Sequence, residues 1–197
     1  TSPKFRFNAN AYYMLYNEQL VLTGAIDDTG TPIRDNAGES FRLGLELEAA
    51  VQLSDKFTIQ PNVTISSNKN KETFASIDGE LVNLGKTNIS FSPELVAANA
   101  IVFQPAKHIQ LSFLSKYVGE QFMGNTDSDV SKLESYFVND FNITYEIKTN
   151  KIFKSIVLSG LVNNVFGEEY VSNGYYFTFD DTWSVPGETT TIEGAGF

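Results

Sequence analysis

The chain has 197 residues, 24 of them acidic and 14 basic, for a formal charge of −10, and it has no cysteine. That balance excludes a nucleic-acid footprint, which needs clustered cations, and the absence of cysteine excludes disulfides and thiolate chemistry. No apolar run is long enough for a membrane helix, a limit that does not bear on membrane strands, whose apolar residues alternate with polar ones.

Strand one is predicted over Lys4–Tyr16. Phe5, Phe7, Ala9, Ala11, Tyr13 and Leu15 take one face, and Lys4, Arg6, Asn8, Asn10 and Tyr12 take the other, because successive side chains on a strand point to opposite faces. A long connection follows over about Leu20–Ser40, with Asp27-Asp28-Thr29-Gly30-Thr31-Pro32 as its turn cluster. Strand two, Phe41–Leu53, has the clearest period: every odd position is apolar, and the even positions include Arg42, Glu46, Glu48 and Gln52. A helix would scatter these residues around its circumference. An ordinary strand runs about five or six residues, whereas a tilted strand crossing a bilayer needs roughly 9–11.

Ser54-Asp55-Lys56 reads as a tight turn into strand three, Phe57–Asn68, where Pro61 cannot donate to the ladder and predicts a bulge or gap. Lys69–Ser92 is long and polar, with room for a small hairpin. Strand four, Leu95–Phe103, is apolar on both faces; strand five, Ile109–Phe122, sets Ile109, Leu111, Phe113 and Tyr117 against Gln110, Ser112, Lys116 and Glu120. After the polar loop Gly124–Glu134 come strand six, Ser135–Ile147, a turn at Lys148–Lys154, and strand seven, Ser155–Phe166. The tail, Gly167–Phe197, is rich in Gly, Thr, acid and aromatic residues without steady alternation.

The connections run long, short, long, short, long, short, long. In an up-and-down antiparallel meander this puts every long loop at one end, the asymmetry of outer-membrane barrels, with their aromatic girdles at both interfaces. Tyr12, Tyr13, Tyr16, Tyr117, Phe122, Tyr136 and Tyr170 fall near strand ends and suit such a girdle. An open edge in hydrocarbon leaves backbone groups unsatisfied, so a membrane sheet must close, and bacterial single-chain barrels have an even number of strands. Seven strands, a start at Thr1 with no visible signal peptide, and a loop-like end at Gly194-Ala195-Gly196-Phe197 together predict a fragment with further strands on either side.

Three segments carry a resemblance: Lys116-Tyr117-Val118-Gly119-Glu120-Gln121-Phe122 with Asn125-Thr126, then Tyr136-Phe137-Val138-Asn139-Asp140, then Val162-Asn163-Asn164-Val165-Phe166-Gly167-Glu168-Glu169-Tyr170 with the residues up to Tyr175. In this order and spacing they resemble the late barrel of Bacteroidetes-type TonB-dependent outer-membrane receptors. The resemblance implies an all-β barrel of about 22 strands enclosing a plug. It also implies the Gram-negative outer membrane as location, with its lipid bilayer and the chain's own N-terminal strands and plug as partners. Uptake of a scarce nutrient such as a ferric siderophore, haem, cobalamin or an oligosaccharide would be energised by TonB through that plug. The chain departs from the full pattern in lacking a plug segment and a closing strand that ends in an aromatic residue.

On this reading Arg42, Glu46, Glu48, Gln52, Lys116 and Glu120 line the lumen, beside Lys4 and Arg6, with neither sign dominant. Tyr175, Tyr176 and Trp183, with Phe177 and Phe179, are candidates for ligand stacking at the mouth. Asn125-Thr126-Asp127-Ser128-Asp129 echoes a calcium loop, but Val130 stands where an EF-hand needs Gly and Tyr136 where it needs an acid. Asp127 and Asp129 therefore remain only as ligands of a looser site. His108, the one histidine, falls in a tight turn, so no histidine cluster or triad can be assembled; neither enzyme activity nor a cofactor is expected. The rival is a soluble all-β binding module, such as a carbohydrate-binding sandwich, whose apolar faces would meet each other instead of lipid.

Overall fold

The computed structural model describes residues 4–26, 29, 31–36, 38–149 and 152–197, with backbone alone at 22–26 and 32. In the predicted turn cluster, Asp27, Asp28 and Gly30 lie outside the described residues, as do two residues of the Lys148–Lys154 turn. The strands are β1 (Phe5–Asn17), β2 (Leu20–Ile26), β3 (Pro32–Asn36), β4 (Glu39–Ser54), β5 (Phe57–Ile77), β6 (Glu80–Asn88), β7 (Leu95–Ala106), β8 (Ile109–Val118), β9 (Gln121–Phe122), β10 (Lys132–Leu133), β11 (Tyr136–Lys148), β12 (Ser155–Val162), β13 (Tyr175–Asp181) and β14 (Thr190–Gly196). One short 3₁₀ turn, Asp129–Ser131, precedes β10.

The seven predicted strands form one antiparallel sheet in chain order, β1-β4-β5-β7-β8-β11-β12, with β6 added beside the far half of β5. The register keeps faces together across strands. Ala9, Leu47, Val63, Ala97, Tyr117 and Phe137 stand in one row, and Asn8, Glu48, Asn62, Ala98, Lys116 and Val138 stand in the next. Nothing packs over the apolar rows. Tyr13 and Leu53 are each 60% exposed, and Phe5, Phe7, Leu43, Ile65, Phe137 and Leu158 are exposed as well. Among the described residues the only buried apolar side chains are Ile89, Val118, Met123 and Leu133, all at the long-connection end. A sandwich hides its inner faces in a shared core; this single layer has none, which removes the soluble-module alternative.

The gap expected at Pro61 is present. The β4–β5 ladder pairs Glu48 with Asn62 and Val51 with Ile59 but skips the positions between, while Pro61 still sits opposite Asn99 on the β7 side. Strand five stops earlier than its alternation suggests. The Gly119 amide donates to the Leu95 carbonyl at 2.8 Å, the chain leaves the sheet, and Gln121–Phe122 pair instead with β10. Strand seven also ends early, at Val162. Asn164 takes φ +50°, its amide donates to Asp140 Oδ1 at 2.7 Å, and its side chain closes a loop onto the backbone of Glu168. This turn swings Phe166 edge-on against Phe113, with centroids 6.2 Å apart.

The long connections hold more order than their composition predicts. Leu20–Ser40 contains the β2–β3 hairpin, Lys69–Ser92 contains the expected β5–β6 hairpin, and the tail contains β13–β14. Strand β13 pairs in parallel with β2 through Thr178 and Ala25, making a second sheet in the order β14-β13-β2-β3.

Candidate functional site: a polar wall beneath an aromatic rim

Parity places Arg42, Glu46, Glu48 and Gln52 on one face of β4, and the register carries that face through Asn62 and Ala98 to Lys116. The three charges on β4 are tied locally. Arg42 donates to Ser92 Oγ at 2.9 Å, Glu46 accepts from Asn10 Nδ2 at 3.0 Å, and Glu48 accepts from Asn8 Nδ2. Glu120 does not join them. It lies in the break between β8 and β9, where it forms a 2.8 Å ion pair with Lys132. On the same face as Arg42, the Tyr12 ring lies flat over Gly44, its partner across the β1–β4 ladder.

The girdle candidates divide. Tyr13 packs against Phe41 on the apolar face, and Tyr136 stacks on Tyr170 with centroids 4.2 Å apart. Tyr12 and, by its register through Val118 and Thr64 to Glu46, Tyr136 belong to the opposite face.

At the long-connection end the aromatic candidates sort by parity along β13. Tyr175, Phe177 and Phe179 share one face and continue to Trp183, with ring centroids spaced 6.3, 6.3 and 6.0 Å. The Phe177 ring lies against Gly194, where a Cβ would come within 2.5 Å of it, and the Tyr175 ring lies against Gly196 in the same way. Tyr176 points to the other face. Its hydroxyl donates to Glu193 Oε1 at 2.9 Å, its ring covers Gly124, and burial raises its pKa above the ordinary phenol value.

Two oxygens of the Asn125–Asp129 loop are taken up by neighbouring amides. Asn125 Oδ1 accepts from the Ser90 amide and Asp127 Oδ1 from the Asn88 amide, each at 2.9 Å. Asp129 opens the 3₁₀ turn. No group of three or more metal-capable side chains occurs among the described residues. The Asn125 and Asp127 oxygens thus fasten the loop to the end of β6 and the turn after it, while Asp129 stands exposed. His108 sits in its turn, 3.7 Å from Glu146.

A third set of residues escapes sequence reasoning. Asp180 accepts from Ser76 Oγ and Thr191 Oγ1, both at 2.7 Å, while Asp78 and Thr191 exchange backbone-to-side-chain bonds of 2.7 and 3.0 Å. Glu193 also accepts from Ser128 Oγ at 2.6 Å. The bonds of Ser76 and Asp78 clamp the tail hairpin to the tip of β5–β6, and that of Ser128 ties it to the start of the 3₁₀ turn. The bonds from Ser76 and Thr191 hold the Asp180 carboxyl below its ordinary pKa. A group so lowered stabilises the fold above its unfolded value, near 3.9, and loses that contribution as pH falls through the lower folded value. Amide protection factors in residues 175–196 are thus expected to stay level from neutral pH down to about 4 and to drop below it. Asp180→Asn is expected to lower them at neutral pH and flatten the acid step, as hydrogen exchange would show; an unchanged acid step in this variant would refute the assignment.

The family model described as TonB-dependent receptor-like β-barrel matches residues 1–165. The chain belongs to the TonB-dependent receptor β-barrel family. Receptors of this family reside in the outer membrane of Gram-negative bacteria, work with TonB on small-molecule ligands, and are not enzymes. A comparison with curated proteins finds no match.

Among solved structures, this receptor-barrel chain is similar to the siderophore receptor PiuA from Acinetobacter baumannii. The TM-score is 0.62 at 17% identity, over 98% of this chain and 25% of that one. It is also similar to the ferric yersiniabactin uptake receptor FyuA from Yersinia pestis, with TM-score 0.62 at 13% identity, over 100% and 26%. The copper transporter OprC matches with TM-score 0.65 at 18% identity, over 87% and 24%. At these identities the likeness is one of fold, and the chain spans about a quarter of the length of each of these receptors. The aromatic rim lies beyond the residues that the family model matches.

Proposed function

We propose that this chain is a stretch of the wall of an outer-membrane uptake receptor. Its odd face meets hydrocarbon, and the face with Arg42, Glu46, Glu48, Gln52 and Lys116 lines the lumen. Further strands of the same protein complete a barrel of about 22 strands around a plug, through which TonB supplies the energy. The cargo is a scarce nutrient such as a ferric siderophore, haem, cobalamin or an oligosaccharide; the similar structures are a siderophore receptor, a ferric yersiniabactin uptake receptor and a copper transporter, which differ in cargo.

One observation carries the reading: large apolar side chains stand exposed along one face of a single-layer sheet. Soluble monomers rarely leave a contiguous patch of that kind uncovered, and hydrocarbon is the solvent that suits it.

The orientation is testable by single cysteines, since this chain has none of its own and any elsewhere in the receptor can be replaced by serine. Thr182→Cys, in the rim, and Asp55→Cys, in a tight turn, are both at exposed positions. In full-length receptor on intact cells, a membrane-impermeant maleimide is expected to label the first, and the second only after permeabilisation. The reverse pattern, or equal labelling, would overturn the placement.

A further inference from the structure

The rim of four rings is built as a platform. Tyr175 and Trp183 are 66% and 70% exposed, and Phe177 and Phe179 are half-buried. Two features hold the rings in line. Gly194 and Gly196 leave room for the Phe177 and Tyr175 rings to lie against β14, and adding a Cβ would push them away. The opposite face of the hairpin is bolted down by Asp180, Thr191, Glu193 and Tyr176, so the aromatic face is the one left open.

Two properties narrow what it can hold. The first is repetition: successive rings tilt by 21°, 9° and 2° and stand at nearly even intervals. A compact chelate has one centre and would meet one or two of these rings; a chain of rings meets all four. The second is charge. From residue 155 onward the sequence has Glu168, Glu169, Asp180, Asp181, Glu188 and Glu193, and no lysine or arginine. The nearest strand of that sheet with a cation is β3, with Arg34, two strands from β13. Lys69, Lys71 and Lys132, elsewhere at this end, are ion-paired to Glu94, Glu39 and Glu120, and Lys86, on β6, is held over the Phe41 ring, so the cations of this end lie off the hairpin. An anionic ligand would approach against this field.

An uncharged pyranose chain satisfies both conditions. The C–H face of each sugar meets the electron-rich face of an arene, and its hydroxyls can donate to nearby carboxylates. We infer that Tyr175, Phe177, Phe179 and Trp183 form a stacking platform for a linear, uncharged oligosaccharide. This rests on the reading of the long-connection end as the receptor's entrance, and it chooses among the nutrients that reading allows.

The test uses full-length receptor purified in detergent and isothermal titration. The probes are maltohexaose, cellohexaose, xylohexaose and mannohexaose, their disaccharides, and ferric enterobactin as an anionic comparator. At least one hexasaccharide is expected to bind, and more tightly than its disaccharide. Trp183→Ala and Phe179→Ala are each expected to weaken that binding about tenfold. Gly194→Ala, which keeps every ring but displaces one, is expected to weaken it as well. The inference is overturned if no hexasaccharide binds, if these variants bind as the parent does, or if ferric enterobactin is held by the same rings. Heat-dependent gel mobility reports barrel assembly separately. A receptor that never assembles in the outer membrane counts against the transporter reading, whereas an assembled receptor that ignores every sugar counts only against the platform.

Discussion

Leu45→Arg in the full-length receptor is expected to cost about 2–4 kcal/mol of barrel stability, the penalty for a cation on the lipid face near mid-membrane. Glu48→Arg, three residues along the same strand, is expected to cost little. The two positions have opposite parity on β4. Leu45 is opposite Ala11 and Ile65 and is 40% exposed with no protein over it. Glu48 is opposite Asn8 and Asn62 in the row that reaches Lys116. Arginine at Leu45 would leave a charge in hydrocarbon, whereas at Glu48 it would remain among amides and water. Denaturant unfolding in phospholipid bilayers reads the difference directly: a reversed difference would mean that the faces are assigned the wrong way round, and equal tolerance that neither meets lipid.

Gly44→Val is expected to destabilise the same strand pair by about 1–3 kcal/mol, the usual range for overpacking. Gly44 is buried, and a Cβ there would lie inside the Tyr12 ring. What it supplies is space, since its backbone is that of an ordinary strand. If the clash is the cause, Tyr12→Ala combined with Gly44→Val will recover part of the loss, giving a coupling between the two sites that independent positions do not show. A double variant whose cost equals the sum of the single costs would place the damage elsewhere.

The wall was legible in the residues because one chemical demand acts on it over a long distance. Phe41–Leu53 alternates for thirteen residues, and β4 spans that stretch with its faces as parity divides them. The strand ends were not legible, because they are set by donors and acceptors far away in sequence. Alternation runs on past Val118 to Phe122, yet the Gly119 amide is taken by Leu95. Glu120 shares the parity of Lys116, but that parity has meaning only while the strand lasts, and the strand ends at Val118. Asp127 looked free for a cation because its acceptor role depends on the Asn88 amide, 39 residues back. The rim's rings are legible as candidates, but the hairpin that aligns them is not: Tyr175, Phe177 and Phe179 alternate over too few residues in a tail of glycine, threonine and acid, and the clamp around Asp180 joins positions more than a hundred residues apart.

The four withdrawn apolar side chains, Ile89, Val118, Met123 and Leu133, divide the molecule into two regimes. The collar around them is organised by the same exclusion of water that folds any cytoplasmic domain. The staves below have no such inward driving force and take their cohesion from the oil they stand in. A receptor made this way would carry its rim on a mount that does not depend on the thickness or fluidity of the surrounding membrane.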